Sequence, residues 1–282
     1  MSSQRIIVKA AASIFAILAM WAAPSGCSVK EERSECPLLV TLWPERDCRA
    51  AGSAVIWFCD GFFINSSLQA DIFDSATVVE FPVRKSTDRI SVWGNITSKT
   101  KLEVESRRMT VNGKDCDSLY CAEAFPAHGS ETFRQEMHFK RMYAKLIISV
   151  TGYEAKDPPI RILIRSTTTG YLADMSVIEG PSVLETMPVY ETKGYYADCD
   201  TSHFIANVMR QNNLESLNMS VVSLSGTDTE LPLGSMMAQS LEGSEEEDAF
   251  FTDYYIEIDL EHCTVSIRVA PWESEFSFKI EY

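Results

Sequence analysis

The sequence is poor in basic charge and in residues that interrupt regular structure. It carries 25 Lys and Arg against 40 Asp and Glu, which gives a formal net charge of −15. So little basic charge excludes nucleic-acid binding and electrostatic attachment to a membrane as leading functions, because both need a basic surface. Only 13 Gly and 11 Pro occur among 282 residues, and 45% of the residues are hydrophobic, which excludes a largely disordered chain. The length suits one large domain or two ordinary ones.

Motifs of common catalytic and metal sites are also missing. The sequence has no Gly-x-Ser-x-Gly, no His-Glu-x-x-His, no phosphate-binding glycine loop and no dinucleotide fingerprint. It has no Cys-x-x-Cys, and its four histidines are scattered without the spacing of zinc ligands. We therefore predict a protein that is not an enzyme and that needs no cofactor and no metal.

The N-terminus has the layout of a secretory signal. Arg5 and Lys9 precede an apolar stretch, Ala10–Ala23, which ends in small residues. This stretch is shorter than the roughly 20 residues that span a bilayer as a helix, so an uncleaved anchor helix is the weaker alternative. We predict a lipoprotein signal peptide over residues 1–26.

Cys27 is the predicted lipidation site. The tripeptide Ser25-Gly26-Cys27 resembles the lipobox of bacterial lipoproteins, in which the cysteine is acylated and becomes the new N-terminus. Two or three acyl chains, at about 0.8 kcal/mol per buried methylene, would make attachment permanent. Lys30, Glu31 and Glu32 resemble the export signal of Bacteroidota-type surface lipoproteins, although a solvated tether explains the same charges. We expect residues 27–37 to form an acylated tether.

The cysteine content points to an oxidising compartment. Eight cysteines without a metal-binding pattern are unusual in a cytosolic chain, and seven remain once Cys27 is assigned to lipid. Cys199 and Cys263 are the only cysteines in the second half, so they form the candidate disulfide. Two buried thiols are the alternative.

The remaining sequence is typical of an all-β protein. Short segments rich in β-branched and aromatic residues recur between turn signals. The predicted strands are Leu38–Trp43, Ala54–Cys59, Thr77–Val83, Arg89–Trp93, Lys145–Val150 and Ile160–Ile164, with a hairpin over Ile256–Val269. Only Phe204–Leu217 and Met236–Leu241 could be helical, and we expect those helices to be short or absent. The length favours two tandem β-sandwiches, an N-terminal one over 38–138 and a C-terminal one over 139–282.

The last residues form a candidate donor strand. Phe276, Phe278, Ile280 and Tyr282 alternate with polar residues, so the segment can present one apolar face. Such a terminal strand can complete the sheet of another subunit. Folding back as the last strand of its own sandwich is the alternative, because it avoids an exposed apolar strand.

Several short motifs follow one another in order along nearly the whole mature chain. The segments are Cys27–Pro37, Val92–Asn95, Asp117–Tyr120, His138–Lys145, Tyr254–Ile258 and Val265–Val269, followed by Trp272. Together these motifs resemble FimB-type fimbrial anchor lipoproteins, the anchoring subunits of Bacteroidota-type fimbriae.

The resemblance implies two transthyretin-like β-sandwiches and a role at the base of a surface fimbrium. Such a subunit would hold fimbrial shaft subunits to the outer membrane through its lipid and limit the length of the polymer. The competing hypothesis is a glycan-binding surface lipoprotein of a polysaccharide-uptake system. Those modules usually expose a platform of aromatic side chains, whereas we expect the tryptophans here to be core residues because they lie in or beside predicted strands. These tryptophans are Trp43, Trp57, Trp93 and Trp272.

Overall fold

The computed structural model describes most of the chain after the tether. The described residues are 36–45, 55–59, 62–68, 78–103, 105–127, 130–189, 201–241, 252–269 and 274–279. They are mostly β-strand, which confirms the predicted all-β class. Within these ranges, no helix is both long and apolar enough to cross a membrane.

The first half contributes ten strands to the described structure. They are β1 (Pro37–Pro44), β2 (Val55–Cys59), β3 (Phe62–Leu68), β4 (Val79–Arg84), β5 (Ile90–Gly94), β6 (Thr100–Glu103), β7 (Arg108–Val111), β8 (Tyr120–Ala124), β9 (Thr132–Met137) and β10 (Lys140–Arg141). Sheet A has the strand order β4-β1-β9, and sheet B has the order β10-β8-β5-β2-β3.

The second half contributes longer strands and a short helix. The elements are β11 (Tyr143–Thr151), β12 (Pro159–Leu172), β13 (Val177–Thr186), β14 (Ser202–Met209), β15 (Asn218–Ser223), β16 (Asp228–Leu231), α1 (Leu233–Ser240), β17 (Asp253–Asp259), β18 (Thr264–Val269) and β19 (Ser274–Lys279). Sheet C has the order β14-β11-β17-β18-β19. Sheet D has the order β16-β15-β12-β7-β6, and β13 also pairs with β12. The first predicted helical segment begins as strand β14 and ends with one short 3-10 helix, Leu214–Ser216, and α1 accounts for most of the second.

Sheets A and C repeat one arrangement. In sheet A, β1 lies between an antiparallel neighbour, β4, and a parallel neighbour, β9. In sheet C, β11 lies in the same way between antiparallel β14 and parallel β17. A parallel pair requires a long crossover connection, so this match is not a consequence of local hairpins. It supports the prediction of two related sandwiches.

The β6–β7 hairpin crosses the predicted boundary at residue 138. It belongs to the range assigned to the first sandwich, but β7 pairs antiparallel with the end of β12, where Tyr171 faces Met109. Gly170 permits this pairing, because a Cβ there would lie 1.9 Å from the carbonyl oxygen of Met109. The sequence prediction missed this pairing because β7 and β12 are distant in sequence and β7 is only four residues long.

Two apolar clusters fill the structure. The smaller lies between sheets A and B and contains Leu38, Val40 and Leu42 of β1 together with Ile90 and Val92 of β5. The larger joins residues of both halves; its first-half members are Trp93, Met109, Cys116, Leu119 and Cys121. Burying each large side chain contributes about 1.5–3 kcal/mol, so the shared cluster makes the two halves interdependent.

Candidate functional site

Most predicted site residues fall outside the described part of the chain. These are Cys27, Lys30, Glu31, Glu32, Cys199, Ile280 and Tyr282. Lipidation at Cys27 and the export signal therefore stay predictions. The structure gives no support to the Cys199–Cys263 disulfide, because the thiol of Cys263 is free in it and Cys199 lies outside the described residues.

The described part of the candidate donor strand pairs within its own chain. Strand β19 runs antiparallel to β18, with Phe276 opposite Ile267 and Phe278 opposite Val265. This is the fold-back arrangement, and it makes β19 an edge of sheet C. Donation to another subunit would require this pairing to open.

The described cysteines differ in their surroundings. Cys263 is a free, half-buried thiol in the β17–β18 turn, and its Sγ lies 3.7 Å from the carbonyl oxygen of Leu260. Cys116 and Cys121 are free and buried, and burial raises the pKa of both thiols well above the ordinary value. A buried thiol of this kind is unreactive, so these two cysteines act as core residues.

Trp93 and Tyr171 join the two halves. Both are fully buried, and the indole Nε1 of Trp93 donates a hydrogen bond to the carbonyl oxygen of Ala173 at 3.0 Å. The hydroxyl of Tyr171 donates to the carbonyl oxygen of Met142 at 2.6 Å and accepts from the backbone N–H of Arg210 at 2.7 Å. Each buried polar group therefore has a partner on another element, which fixes the relative position of the strands.

A second set of contacts holds the loop before β8 against sheet C. The side-chain amide of Asn207 donates to the carbonyl oxygen of Cys116 at 3.1 Å and to the hydroxyl of Ser118 at 3.0 Å. Buried Asp117 accepts from the backbone N–H of Thr97 and from the hydroxyls of Thr97 and Thr100, at 2.5–2.8 Å. The loop is thus held by Asn207 on sheet C and by the residues that precede β6 and begin it.

An ion pair connects β10 of sheet B to β17 of sheet C. Arg141 is 10% exposed, and its Nη1 lies 2.5 Å from Oδ1 of Asp253 at the start of β17. The guanidinium also stacks on the ring of Tyr143 at 4.0 Å, and that ring packs edge-on against Tyr120. Removing Asp253 would leave the largely buried guanidinium of Arg141 without this partner, which is costly.

A cleft lies at the surface between sheet B and sheet D. One wall comes from sheet B, with Asp88, Arg89, Ser91 and Phe125 at the adjoining ends of β5 and β8. The other wall comes from two turns of sheet D, the β6–β7 turn with Ser106 and Arg107, and the β12–β13 turn with Leu172, Ala173 and Asp174. The cavity volume is about 430 Å³, within the range of about 300–1,000 Å³ typical of small-molecule sites.

Hydrogen bonds fix the two turns that form the second wall. Arg107 has a left-handed backbone, φ 52°, and its carbonyl oxygen accepts from the N–H of Ala173 at 3.0 Å. Asp174 accepts from the N–H of Ser176 at 3.0 Å. Burial alone would raise the pKa of Asp174, but the hydrogen bonds of Ser176 and the charge of Arg89 outweigh it and lower the pKa. Asp174 is therefore a carboxylate at neutral pH.

The cleft was not predicted from the sequence. Its residues come from four separate segments, and none of them forms a recognisable motif. The prediction for the tryptophans is confirmed at Trp93, which is fully buried, while Trp43 is half-buried. Trp57 lies in β2, and Trp272 lies outside the described residues. Among the described His, Cys, Asp and Glu side chains, no group of three is placed to hold a metal ion.

Comparison with known proteins finds the fold in solved structures. No family model and no curated protein sequence matches the chain. The fimbrial anchor protein Mfa2 of Porphyromonas gingivalis matches with a TM-score of 0.55 and 16% identity, over 84% of this chain and 98% of that one. A Bacteroides thetaiotaomicron protein whose name suggests polysaccharide binding matches with a TM-score of 0.59 and 12% identity, over 88% and 99% of the chains.

A further solved structure shares this fold. A Bacteroides thetaiotaomicron protein named as a candidate adhesin matches with a TM-score of 0.54 and 9% identity, over 86% of this chain and 97% of that one. At these identities the likeness establishes a shared fold over nearly the full length of each neighbour. The likeness therefore shows the fold that this chain shares with a fimbrial anchor protein, a protein named for polysaccharide binding and a candidate adhesin.

Proposed function

We propose that this protein is the anchoring subunit of a cell-surface fimbrium, of the FimB type. Acylated Cys27 would hold it in the outer membrane, and its β-sandwiches would bind the first shaft subunit. The observation that carries the proposal is the combination of a lipobox-like leader with a body that has the fold of a fimbrial anchor protein over 84% of the chain.

The contacts between the two halves suit a subunit at the base of a fimbrium. A subunit between lipid and polymer must transmit force through its whole body without separating into two parts. The β7–β12 pairing, the buried Trp93 and the Arg141–Asp253 pair all connect the halves. Halves that are connected in this way suit an anchoring subunit better than two flexibly linked domains would.

The described surface gives less support to a polysaccharide-uptake receptor. Of the large apolar side chains that are well exposed, Phe125 is the one aromatic residue among those described. A platform that holds a polysaccharide chain would need several coplanar aromatic rings. The anchoring role is therefore the stronger proposal.

Deletion of the gene tests this function. We expect the mutant to release its fimbriae into the medium, and we expect those fimbriae to be longer than in the parent strain. Electron microscopy and immunoblots of the shaft subunit in cell and medium fractions measure both effects, with re-expression of the intact gene as the control. Fimbriae that stay on the cells at normal length would contradict the proposal, and loss of growth on a polysaccharide instead would favour the uptake receptor.

A further inference from the structure

The cleft between sheets B and D contains an exposed aromatic ring. Phe125 follows the last residue of β8, and 56% of it is exposed. The guanidinium of Arg89 lies 5.6 Å from its ring centroid, which holds the ring in place. An exposed ring is unfavourable in water, and here it forms part of a concave wall instead of a flat surface. Arg89 covers part of the ring, and the exposed part can stack on the apolar face of a small ligand.

The polar groups around this ring carry balanced charge. Asp88 and Asp174 supply carboxylate oxygens, and Arg89 and Arg107 supply guanidinium groups, so the lining has two charges of each sign. Arg89 already faces two carboxylates, since its Nε lies 3.4 Å from Glu123 and its Nη1 lies 3.9 Å from Asp174. An anionic ligand would compete with these carboxylates for the same cation. The electrostatics therefore favour an uncharged ligand.

The lining also suits a ligand with many hydroxyl groups. Carboxylates accept hydrogen bonds and guanidinium groups donate them. The hydroxyl of Ser106 donates to Glu103 at 3.2 Å, and its oxygen can accept a further hydrogen bond. A sugar matches such a mixed set because each of its hydroxyls is both donor and acceptor, while its C–H face can stack on Phe125. The volume of about 430 Å³ suits one or two sugar rings, not a long chain.

We propose that this cleft binds the end of a neutral glycan, with Phe125 as the stacking platform and Asp88, Asp174 and Arg107 as hydrogen-bonding groups. The site lies on the body of the protein and does not depend on the anchoring role. It would let the base of the fimbrium contact a saccharide at the cell surface.

Saturation-transfer difference NMR on the whole mature chain tests this site. The chain is purified in a zwitterionic detergent, because glycoside detergents would occupy a sugar site. The probes are the methyl glycosides of glucose, galactose, mannose, fucose and N-acetylglucosamine, compared with sialic acid and glucuronic acid. We expect saturation transfer to at least one neutral glycoside, strongest at the ring C–H protons that stack on Phe125.

Substitutions at Phe125 separate this site from adventitious binding. Phe125→Ala should weaken binding about tenfold, whereas Phe125→Trp should retain it. Leu224→Ala changes another exposed apolar residue, in the β15–β16 turn, and should leave binding unchanged. Thermal unfolding of each variant checks that it is folded. The proposal is overturned if no neutral glycoside binds, if only the acidic sugars bind, or if folded Phe125→Ala binds as well as the parent.

Discussion

The rings of Trp93 and Tyr171 lie 5.3 Å apart and are tilted by 31°, although one belongs to sheet B and the other to sheet D. Both side chains are fully buried. An aromatic pair of this kind contributes about 0.5–1.5 kcal/mol beyond its buried area. The pair makes the two halves share one core, so they should unfold together.

Replacing Trp93 tests that cooperativity. Trp93→Ala should lower the free energy of unfolding by about 3–5 kcal/mol, because it removes a large buried side chain and its hydrogen bond to Ala173. Trp93→Phe keeps a ring and should cost less. Urea unfolding followed by circular dichroism should give a single transition in all three proteins. Two transitions, of which Trp93→Ala shifts only one, would show that the halves are independent.

Asp117 should be far more important for stability than its neighbour Asp115. Asp117→Asn exchanges one acceptor oxygen for an NH₂ group that faces donors, and we expect a loss of about 1–3 kcal/mol. Asp115→Asn is the matched control, since Asp115 is exposed and its ion pair with Lys99 contributes at most about 1 kcal/mol. Equal unfolding midpoints for the two variants would contradict this account of the loop.

His262 in the β17–β18 turn should titrate above its ordinary range. Its Nδ1 lies 2.8 Å from Oδ2 of Asp259; this hydrogen bond and the nearby negative charges of Asp259 and Glu261 raise the pKa of His262. A raised pKa in the folded state stabilises the fold below the unfolded pKa of about 6.5 and loses that effect as pH rises through the folded pKa. The pKa of Asp259 is lowered, chiefly by the backbone N–H of His262, so its contribution is lost as pH falls through that value.

NMR titration of the imidazole protons measures this effect. Asp259→Asn should return the pKa of His262 towards its ordinary value, whereas Asp174→Asn, in another turn, should leave it unchanged. A pKa of His262 at or below about 6.5 in the parent protein would show that the turn does not hold the pair.

Deleting Ser274–Tyr282 separates the two roles considered for the last strand. Because β19 pairs with β18 and contacts α1, its removal exposes a sheet edge and uncovers the helix. We expect a lower unfolding midpoint, measured by thermal denaturation. Ser277→Ala, a small change in the same strand, is the control. A deletion variant as stable as the parent that no longer holds shaft subunits would instead support donation.

Local patterns in the sequence predicted the class of fold well. The strand-forming segment Leu38–Trp43 and the alternating hairpin over Ile256–Val269 correspond to β1, β17 and β18, because strand preference and period-two burial are local properties. The β7–β12 pairing was not predictable in the same way. It depends on the close approach at Gly170 and on contacts between residues far apart in sequence. The cleft depends on that pairing, which brings Arg107 and Ala173 opposite Arg89 and Phe125.

The Cys27→Ala variant tests the central claim most directly. We expect its body to fold as in the parent protein, because Cys27 lies outside the sandwiches, but the variant should take up no labelled palmitate. When it replaces the parent gene, fimbriae should form and then accumulate in the medium, as measured by the shaft subunit in cell and medium fractions. A variant that stays in the membrane fraction with label and keeps its fimbriae on the cells would contradict the claim that Cys27 anchors the polymer.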